Sequence, residues 1–462
     1  MTILDIDFEK QPGPKYRAIA AALSEAIANG DLSAGERLPT QRELAWQLGV
    51  TVGTVSRAYA EIERRGLLSG EIGRGTYVRS GPPTQDLPMR APAPPAAIDL
   101  TLNFPAPGEE RRAIAEALTQ MAEDPDIGAL LDYQPDTGLA GHRAAGAAWI
   151  GRRGWPVDPE RVIVTAGAQH GIVAALAALT RPGDRILTER LTYQGIKPAS
   201  AMLGLRLEGL PMDAQGLLPD AFERAIGDSG ARLIYCMPTV HNPTTITMPE
   251  DRKRDIAAVA IRHDVTIIED DIYGILLGSP GPVPLATYAP DNTIYVTSLS
   301  KAVAPGLRIG FAVPPQELVE RIGSAVRASC WMAAPLMADV AARWIQNGTA
   351  DRILENHKIV SERRRALALR YLEGRSLDAP AGSLHVWLHL PEPWRAAEFV
   401  AVAQNRGVSV APAETFAVGR GNVPHSVRIC LGTPREEATL EAGLITIAEL
   451  LQNADASLSM IV

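Results

Sequence analysis

The sequence predicts a multidomain protein with a small, mostly α-helical N-terminal domain and a large α/β domain that carries a smaller α+β lobe. The small domain is predicted to be a winged helix-turn-helix. Three observations lead to this fold class: helical periodicity in the first 80 residues, a proline-rich stretch after them, and apolar strand-like runs that alternate with helical ones beyond it. With 462 residues, the chain also exceeds one typical domain of about 100–200 residues.

The proline-rich stretch divides the chain. Residues 80–97 hold six prolines and almost no large apolar side chain, so they cannot form a core element and are typical of an extended linker. We therefore expect an N-terminal domain at 1–80, a linker at 81–97 and a C-terminal domain at 98–462.

The composition excludes several classes of protein. With 46% hydrophobic and 21% charged residues, there is material for a large core and no sign of global disorder. Thr, Gly, Gln and His interrupt the uncharged stretch 162–180, so no membrane span is predicted. The first ten residues lack the basic start and apolar run of a secretory signal, and the three widely spaced cysteines favour neither a disulfide framework nor a zinc site. We expect a cytoplasmic protein without a bound metal.

The charge is distributed unevenly. The net charge of −8 argues against a protein that coats nucleic acid, but residues 1–80 carry ten basic against ten acidic residues. Between residues 37 and 79, seven arginines stand against four acids. Such an excess in a short segment can form one positive surface.

The N-terminal residues predict three helices and a wing. The first helix spans 16–28, and the second begins at a capping box formed by Thr40 and Glu43. Thr51 can cap a third helix after a tight turn, which completes a helix-turn-helix. Residues 67–78 predict two short strands around a glycine-rich turn. The apolar stripe of the third helix is Val52, Val55, Tyr59 and Ile62.

The outward face of the third helix carries hydroxyl and guanidinium groups, which suit a DNA major groove. Arg57 could pair with a guanine, whereas Arg42 would hold phosphates. The simpler alternative is a solvated helical face. The run from Leu38 to Val78 resembles the GntR-type winged helix-turn-helix from end to end, which implies binding to double-stranded operator DNA. The candidate DNA contacts are Arg37, Arg42, Thr51, Thr54, Arg57, Arg64 and Arg74.

Beyond the linker, five strand-like runs alternate with helical patterns and predict a mainly parallel sheet with helices on both faces. Ligands of such sheets gather at the carboxyl ends of the strands. The strand-like runs are RVIVT, RILTE, ARLIYCM, VTIIED and NTIYVTSL. Long helices after residue 315, with SLHVWLHL and SVRICLG, predict the smaller lobe and a cleft between the lobes.

Several polar residues fall where those strands end, and each alone has an ordinary structural interpretation. Lys301 could be solvated, Asp270 could cap a helix, and Asn242 could form a turn. Arg308 could pair with a surface acid. Together with Tyr273, the set supplies what pyridoxal phosphate needs: an amine, an anion for the pyridine nitrogen, donors to the phenolic oxygen and phosphate contacts.

This half of the chain resembles the fold-type I aminotransferases in the motifs DYQPDTGLAGHR, TAGAQHG, HNPTT, EDDIYG, SLSKAVAPGLRIGF and VRICLG. By that resemblance Lys301 forms the internal aldimine of pyridoxal 5′-phosphate, and Asp270 keeps the pyridinium protonated. Asn242 and Tyr273 would hydrogen-bond the ring oxygen, and Tyr193 would stack on the ring.

The resemblance also implies how the two ends of a ligand–cofactor complex are bound. Ala168 and Gln169 would present a helix start to the phosphate, with Ser298 and Arg308 as further donors. The remaining implied roles are a phosphate contact to the neighbouring subunit for Tyr133 and a ligand-carboxylate contact for Arg428. His170, His241 and His385 could line the pocket, although a lone histidine is more often structural. Trp46, Trp149 and Trp331 are most simply core residues.

A winged helix joined to an aminotransferase-like domain resembles the MocR subgroup of the GntR-family regulators. The resemblance implies a head-to-tail homodimer and a small amino compound as effector, sensed through external aldimine formation at Lys301. Two alternatives stay open: an active aminotransferase with an autoregulatory DNA-binding domain, and a sensor of pyridoxal phosphate itself. Weak half-transamination is compatible with the regulator. The chain length and the lysine position are similar to those of ectoine-utilisation regulators, whereas operator sequence and sign of regulation are not predicted.

Overall fold

The structure is a computed structural model that describes residues 14–29, 32, 36, 38–64, 68–71, 75–78, 98–106, 108–278, 281–419 and 421–459. The chain divides into two compact units, residues 1–91 and 92–462. Each unit has its own hydrophobic core. Within the described residues, no helix is long and apolar enough to cross a membrane.

The N-terminal unit contains three helices and a two-stranded antiparallel sheet. They are α1 (Lys15–Asn29), α2 (Gln41–Gln47), α3 (Val52–Arg64), β1 (Leu68–Glu71) and β2 (Gly75–Val78). The sheet pairs Leu68 with Val78 and Glu71 with Gly75, as a wing requires. The predicted helix-turn-helix and wing are confirmed in their order.

Local hydrogen bonds fix the starts of α2 and α3. Thr40 donates its amide to Glu43 Oε2 at 2.8 Å and accepts the Glu43 amide at 3.3 Å, which is the predicted capping box. Thr51 Oγ1 accepts the Thr54 amide at 3.3 Å. Val55, Tyr59 and Ile62 are buried, but Val52, the first residue of α3, is 44% exposed. Its inclusion in the apolar stripe was wrong.

The C-terminal unit contains three sheets with their helices and a small hairpin. Its strands are β3 (Ile98–Asp99), β4 (Ile163–Thr165), β5 (Arg185–Glu189), β6 (Arg206–Leu210), β7 (Met212–Asp213), β8 (Gly216–Leu217), β9 (Leu233–Cys236), β10 (Thr266–Asp270), β11 (Thr293–Ser298), β12 (Gly310–Val313), β13 (Leu377–Asp378), β14 (His385–His389), β15 (Val408–Ser409), β16 (Ala411–Pro412) and β17 (Ser426–Cys430).

The helices of this unit cover the sheets and connect their strands. They are α4 (Glu110–Ala122), α5 (Ala140–Gly151), α6 (Ala168–Leu179), α7 (Ile196–Met202), α8 (Pro219–Ser229), α9 (Glu250–His263), α10 (Val319–Cys330), α11 (Pro335–Gln346), α12 (Thr349–Tyr371), α13 (Ala396–Asn405) and α14 (Glu437–Ser459).

The main sheet has seven strands in the order β4-β12-β11-β10-β9-β5-β6. Its pairs are parallel except those of β12, which runs antiparallel to β11 and β4. Successive residues of a strand point to opposite faces, so Ile267 lies in one apolar cluster and Ile268 in another. The mainly parallel sheet buried on both faces is confirmed.

The smaller lobe is built on the antiparallel sheet β13-β14-β17-β16, which packs with α12, α13 and α14 around a separate apolar cluster. Strand β3 does not join this sheet. It pairs in parallel with β15, so that the first described residues of the unit belong to the lobe formed by its last residues.

Two strands of the main sheet and two tryptophans depart from the sequence expectations. The predicted strands omitted β6, whose residues are mostly half-buried, and β12, which follows the polar loop around Lys301. Trp149 lies in the core, but Trp46 is 85% exposed on α2 and Trp331 is 50% exposed after α10. Placing these two tryptophans in the core was wrong: Leu44 and Ala45 fill the core side of α2 and leave Trp46 in solvent, and Trp331 follows the last residue of α10 with φ +70°.

Candidate cofactor site and DNA-binding face

The carboxyl ends of three neighbouring strands bring the candidate site together. Asp270 is the last residue of β10, Lys301 follows β11 by three residues, and Asn242 lies in the loop after β9. Because β9, β10 and β11 are parallel neighbours, their ends meet at one edge of the sheet. The start of α6 lies after β4 at the same edge.

Asp270 is a buried carboxylate with one oxygen unsatisfied. Its Oδ2 accepts a hydrogen bond from the Tyr235 hydroxyl at 2.7 Å, whereas Oδ1 has no partner among the described residues. Burial raises the pKa of Asp270 to about 7. A cationic ring N–H at Oδ1 would satisfy the orphan oxygen and stabilise the charged carboxylate.

Lys301 presents a half-buried amine beside this carboxylate. Its Nζ donates to the backbone carbonyl of Asn103 and lies 5.7 Å from the centroid of the Phe104 ring. Burial lowers the pKa of Lys301 to about 8, and the nearby Arg428 guanidinium acts in the same direction. A lysine with this pKa has a substantial neutral fraction near pH 8, as a nucleophilic amine requires.

Arg428 reaches the same cleft from β17 of the smaller lobe. Its Nη1 donates to Asn242 Oδ1 at 2.6 Å, its Nη2 donates to the Thr101 carbonyl, and its guanidinium lies 4.7 Å from the centroid of the Phe416 ring. The buried Nε has no partner among the described residues. This free N–H makes Arg428 able to bind a carboxylate.

Asn103 is a site residue that sequence reasoning missed. Its Nδ2 lies 2.9 Å from both the Tyr273 hydroxyl and His385 Nδ1, and all three side chains are buried. The available signal was a polar residue inside the apolar run LTLNFPA. It was overlooked because that run is remote in sequence from every strand-end motif.

The start of α6 forms a cradle with Arg308. Gly167 has φ +87° and precedes Ala168, and a Cβ on Gly167 would lie 2.6 Å from Arg308 Nη2. Arg308 donates to the Ala166 carbonyl at 3.1 Å. Backbone amides at a helix start and an adjacent guanidinium are suited to a phosphate group.

The other cofactor candidates lie around this cradle. Gln169 Nε2 donates to the Gly195 carbonyl at 3.0 Å, and Ser298 Oγ accepts the Ser300 amide at 3.3 Å. Burial and the Asp270 charge raise the pKa of the Tyr193 hydroxyl to about 12. Tyr133 stands apart, because it is 79% exposed and its ring packs on Trp331 at 5.0 Å between centroids.

The histidines divide between the site and its periphery. His241 Nδ1 lies 2.7 Å from Thr244 Oγ1, and His241 Nε2 has no hydrogen-bond partner among the described residues. His385 joins the Asn103 cluster, whereas His170 accepts the Ala166 amide at 3.0 Å. Burial lowers the pKa of His241 to about 3, so this ring is neutral at physiological pH.

The candidate DNA face lies at the starts of α2 and α3. Arg42 and Arg57 are exposed, and Thr51 Oγ1 lies 2.9 Å from Thr54 Oγ1. Arg64 is the last residue of α3, but its side chain lies outside the described set. Arg37 and Arg74 lie outside the described residues altogether.

The donor set fits pyridoxal phosphate. An amine, an orphan carboxylate oxygen and a glycine-lined helix start lie at one edge of the sheet, as the three functional parts of that cofactor require. Hydrogen bonds connect two further side chains to this set. The Tyr273 hydroxyl accepts from Asn103 Nδ2, and Asn242 Oδ1 accepts from Arg428 Nη1.

Comparisons with known proteins agree with this geometry. Residues 95–442 match the family described as aminotransferase class I and II, and residues 15–78 match the family of bacterial regulatory proteins called the gntR family. The chain belongs to the MocR subgroup of GntR-family transcription regulators, in which these two domains are fused.

Several relatives named as HTH-type transcriptional regulators match over most of their length, and two of them illustrate the range. The uncharacterized HTH-type transcriptional regulator YdeF of Bacillus subtilis is 31% identical over 445 residues, which cover 96% of this chain and 96% of that protein. The HTH-type pyridoxine biosynthesis transcriptional regulator PdxR of Corynebacterium glutamicum is 27% identical over 412 residues, which cover 86% of this chain and 87% of that protein.

Solved aminotransferases share the fold of the C-terminal unit. The kynurenine aminotransferase of Pyrococcus horikoshii, solved in complex with PMP, has 24% sequence identity and a TM-score of 0.71. The match covers 78% of this chain and 91% of that one. The aminotransferase class I and II fold indicates dependence on pyridoxal phosphate, and the GntR domain implies DNA binding.

Proposed function

We propose that this protein is a pyridoxal-phosphate-dependent transcription regulator that senses an amino compound at Lys301 and relays its binding to operator DNA. The observation that carries the proposal is that the Lys301 amine and the orphan Asp270 oxygen lie at the same end of neighbouring parallel strands, in a chain that also has a GntR domain. Bound there, the cofactor supplies an electrophilic carbon that forms a Schiff base with a primary amine.

The proposed role of each residue follows from its position. Lys301 would hold the cofactor through its amine and release it to the effector's amine, and Asp270 would accept a hydrogen bond from the ring N–H. Asn242 and Tyr273 donate to the ring oxygen, and Tyr193 lies against the ring. The phosphate contacts are Ala168, Gln169, Ser298 and Arg308, with Tyr133 of a second subunit.

Arg428 would hold the other end of the effector. Its Nε–H has no partner among the described residues and can donate to one oxygen of a carboxylate. The effector class that fits is therefore an amino acid or a related amine with an anionic group. The proposal includes a head-to-tail homodimer that acts in the cytoplasm, with domains at 1–80 and 98–462.

Regulation requires that the effector bind two states of the protein differently. A preference of about 1.4 kcal/mol shifts their ratio tenfold. The cleft residues come from both lobes, with Lys301 from one and Arg428 from the other. An effector that contacts both therefore favours a closed arrangement of the lobes.

A second candidate is a sensor of pyridoxal phosphate itself. The likeness to a regulator named for pyridoxine biosynthesis favours it. In this version the cofactor alone changes DNA affinity, and an added amine changes nothing further.

The experiment is a titration of the full chain with γ-aminobutyrate, taurine and D-alanine, one compound at a time. Cofactor absorbance and affinity for a DNA duplex selected from a random pool are measured in the same samples. The proposal expects one compound to shift both, without sustained formation of a keto acid or aldehyde. Turnover with DNA binding indifferent to every compound would identify an enzyme instead.

A further inference from the structure

Residues 98–104, here called the proximal segment, are the first described part of the C-terminal unit after residues 79–97. Their backbone is tied to the smaller lobe. The Ile98 amide donates to the Gly407 carbonyl at 2.7 Å, and the Leu100 amide donates to the Ser409 carbonyl at 2.8 Å. Along the chain, the proximal segment lies between the N-terminal unit and the strands that carry the candidate site.

Four successive carbonyl groups of the proximal segment accept hydrogen bonds from the rest of the unit. Two of the four donors are Arg428 and Lys301, the side chains proposed to hold the effector and the cofactor. The pairs are Cys430 N to Leu100 O, Arg428 Nη2 to Thr101 O, Thr433 Oγ1 to Leu102 O and Lys301 Nζ to Asn103 O.

The position of the Asn103 carbonyl is fixed from two sides. The Asn103 side chain is held between the Tyr273 hydroxyl and His385 Nδ1, each at 2.9 Å. On the other side, a Cβ on Gly432 would lie 1.7 Å from the Phe104 carbonyl oxygen, so the two backbones are in close contact. Gain or loss of the Lys301 hydrogen bond therefore acts on a peptide that its close packing holds in place.

We propose that the proximal segment reports the state of the Lys301 amine to the DNA-binding unit. Lys301 Nζ donates to the Asn103 carbonyl while it is a free amine. When its nitrogen is bonded to the cofactor carbon, it has no N–H for that carbonyl in the neutral Schiff base, and the carbonyl loses its donor. The proposal rests on the proposed function, because it needs a cofactor at Lys301.

The effector then restores the contact. Its nitrogen forms the new C=N bond, the bond between the cofactor carbon and Lys301 breaks, and the two protons of the effector's amine end on Nζ. The released amine donates again to the Asn103 carbonyl. A carboxylate bound to Arg428 competes with the Thr101 carbonyl for hydrogen bonds from the same guanidinium. Effector binding therefore changes two anchors of the proximal segment together.

The test needs no knowledge of the effector, because two cofactor forms set the state of Lys301. Pyridoxal phosphate engages the amine, whereas pyridoxamine phosphate occupies the same site and leaves it free. Hydrogen exchange of the Ile98 and Leu100 amides is measured in the full chain loaded with each form. We expect exchange to be at least about threefold slower with pyridoxamine phosphate, with an operator affinity that differs by a similar factor.

Variants at Thr433 separate signalling from cofactor binding. Thr433→Val removes the donor to Leu102 O while keeping the side-chain shape, and Thr433→Ser restores the hydroxyl. The Val variant should keep the cofactor absorbance but reduce the difference in operator affinity between the two forms, and the Ser variant should retain that difference. In Lys301→Ala, the exchange difference should vanish.

The outcomes distinguish the two proposals. Absence of a Lys301-dependent absorbance would refute the proposed function itself. If the absorbance forms while exchange at residues 98–104 is equal in the two cofactor forms, only the reporting role of the proximal segment is overturned. A Thr433→Val protein with the full difference in operator affinity would also overturn it.

Discussion

Lys301 is the residue on which the chemistry of the site depends. Replacement of Lys301 by Ala should abolish the cofactor's Schiff-base absorbance and the response of DNA binding to amines, because no other described amine contacts Asn103 and lies beside Asp270. Operator binding itself should persist. Absorbance spectroscopy and DNA titration of the same samples measure both effects.

The matched control is Lys358→Ala, a lysine of α12 that pairs with Glu355 at 3.5 Å. It should leave absorbance and amine response at the wild-type level. A normal amine response in Lys301→Ala would contradict sensing at this lysine.

The environment of Lys301 predicts how cofactor loading depends on pH. Burial lowers its pKa to about 8, so only about a tenth of the amine is neutral at pH 7, about half at pH 8 and nearly all at pH 9. The loading rate of the cofactor-free protein should rise about fivefold from pH 7 to 8 and less than twofold from pH 8 to 9. Stopped-flow absorbance measures it.

The same reaction with Nα-acetyl-lysine corrects for the ionisation of pyridoxal phosphate. An ordinary lysine, whose pKa is about 10.4, would gain nearly tenfold for each pH unit over this range. A constant ratio between protein and model compound from pH 7 to 9 would mean that the Lys301 pKa is not lowered.

Strand-end residues could be predicted at this scale, whereas buried partners could not. Lys301, Asp270 and Asn242 follow apolar runs whose carboxyl ends must meet, so their proximity follows from a parallel sheet. Asn103 and His385 come together only because β3 crosses to the smaller lobe. No local pattern carries that information.

At the scale of elements, α3 is expected to read DNA bases and α2 to hold the backbone. Arg57→Ala should relax base preference at one position, at a cost of about 1–3 kcal/mol for the preferred sequence, because a bidentate contact to guanine is lost. Arg42→Ala should weaken all sequences alike and reduce the salt slope by about one. Binding titrations on selected and scrambled duplexes at several salt concentrations distinguish the two effects.

Arg57→Lys is the matched control, since it keeps the charge but loses the planar pair of donors. It should resemble Arg57→Ala in base preference and the wild type in salt dependence. Unchanged operator binding in both alanine variants would remove α3 as the recognition helix.

Elements with a buried periodic face were predicted well, and those without one were not. The capping box at Thr40 fixed the start of α2, and the apolar runs located β9, β10 and β11 within two residues at either end. In contrast, β6 exposes or half-exposes most of its side chains, so it lacks the apolar run of a central strand. Its place at the edge of the sheet explains that composition.

At the scale of the whole molecule, the protein is expected to act as a dimer on paired half-sites. Insertion of about half a helical turn, five base pairs, between the half-sites should weaken binding by at least about tenfold, whereas a full turn should weaken it less. Sedimentation gives the oligomeric state, and gel-shift titrations give the affinities. Equal affinity for all spacings would show that each DNA-binding unit acts alone.

The pairing of β3 with β15 also decides where the protein can be divided. Leu100 is fully buried in the core of the smaller lobe, and Gly443 of α14 leaves room for Ile98 and Leu100 at that position. A fragment that began at residue 107 would therefore lack a piece of its own core and expose the edge of β15. A fragment for dissecting the sensor from the DNA reader has to start ahead of Ile98, so the cut belongs among the prolines upstream.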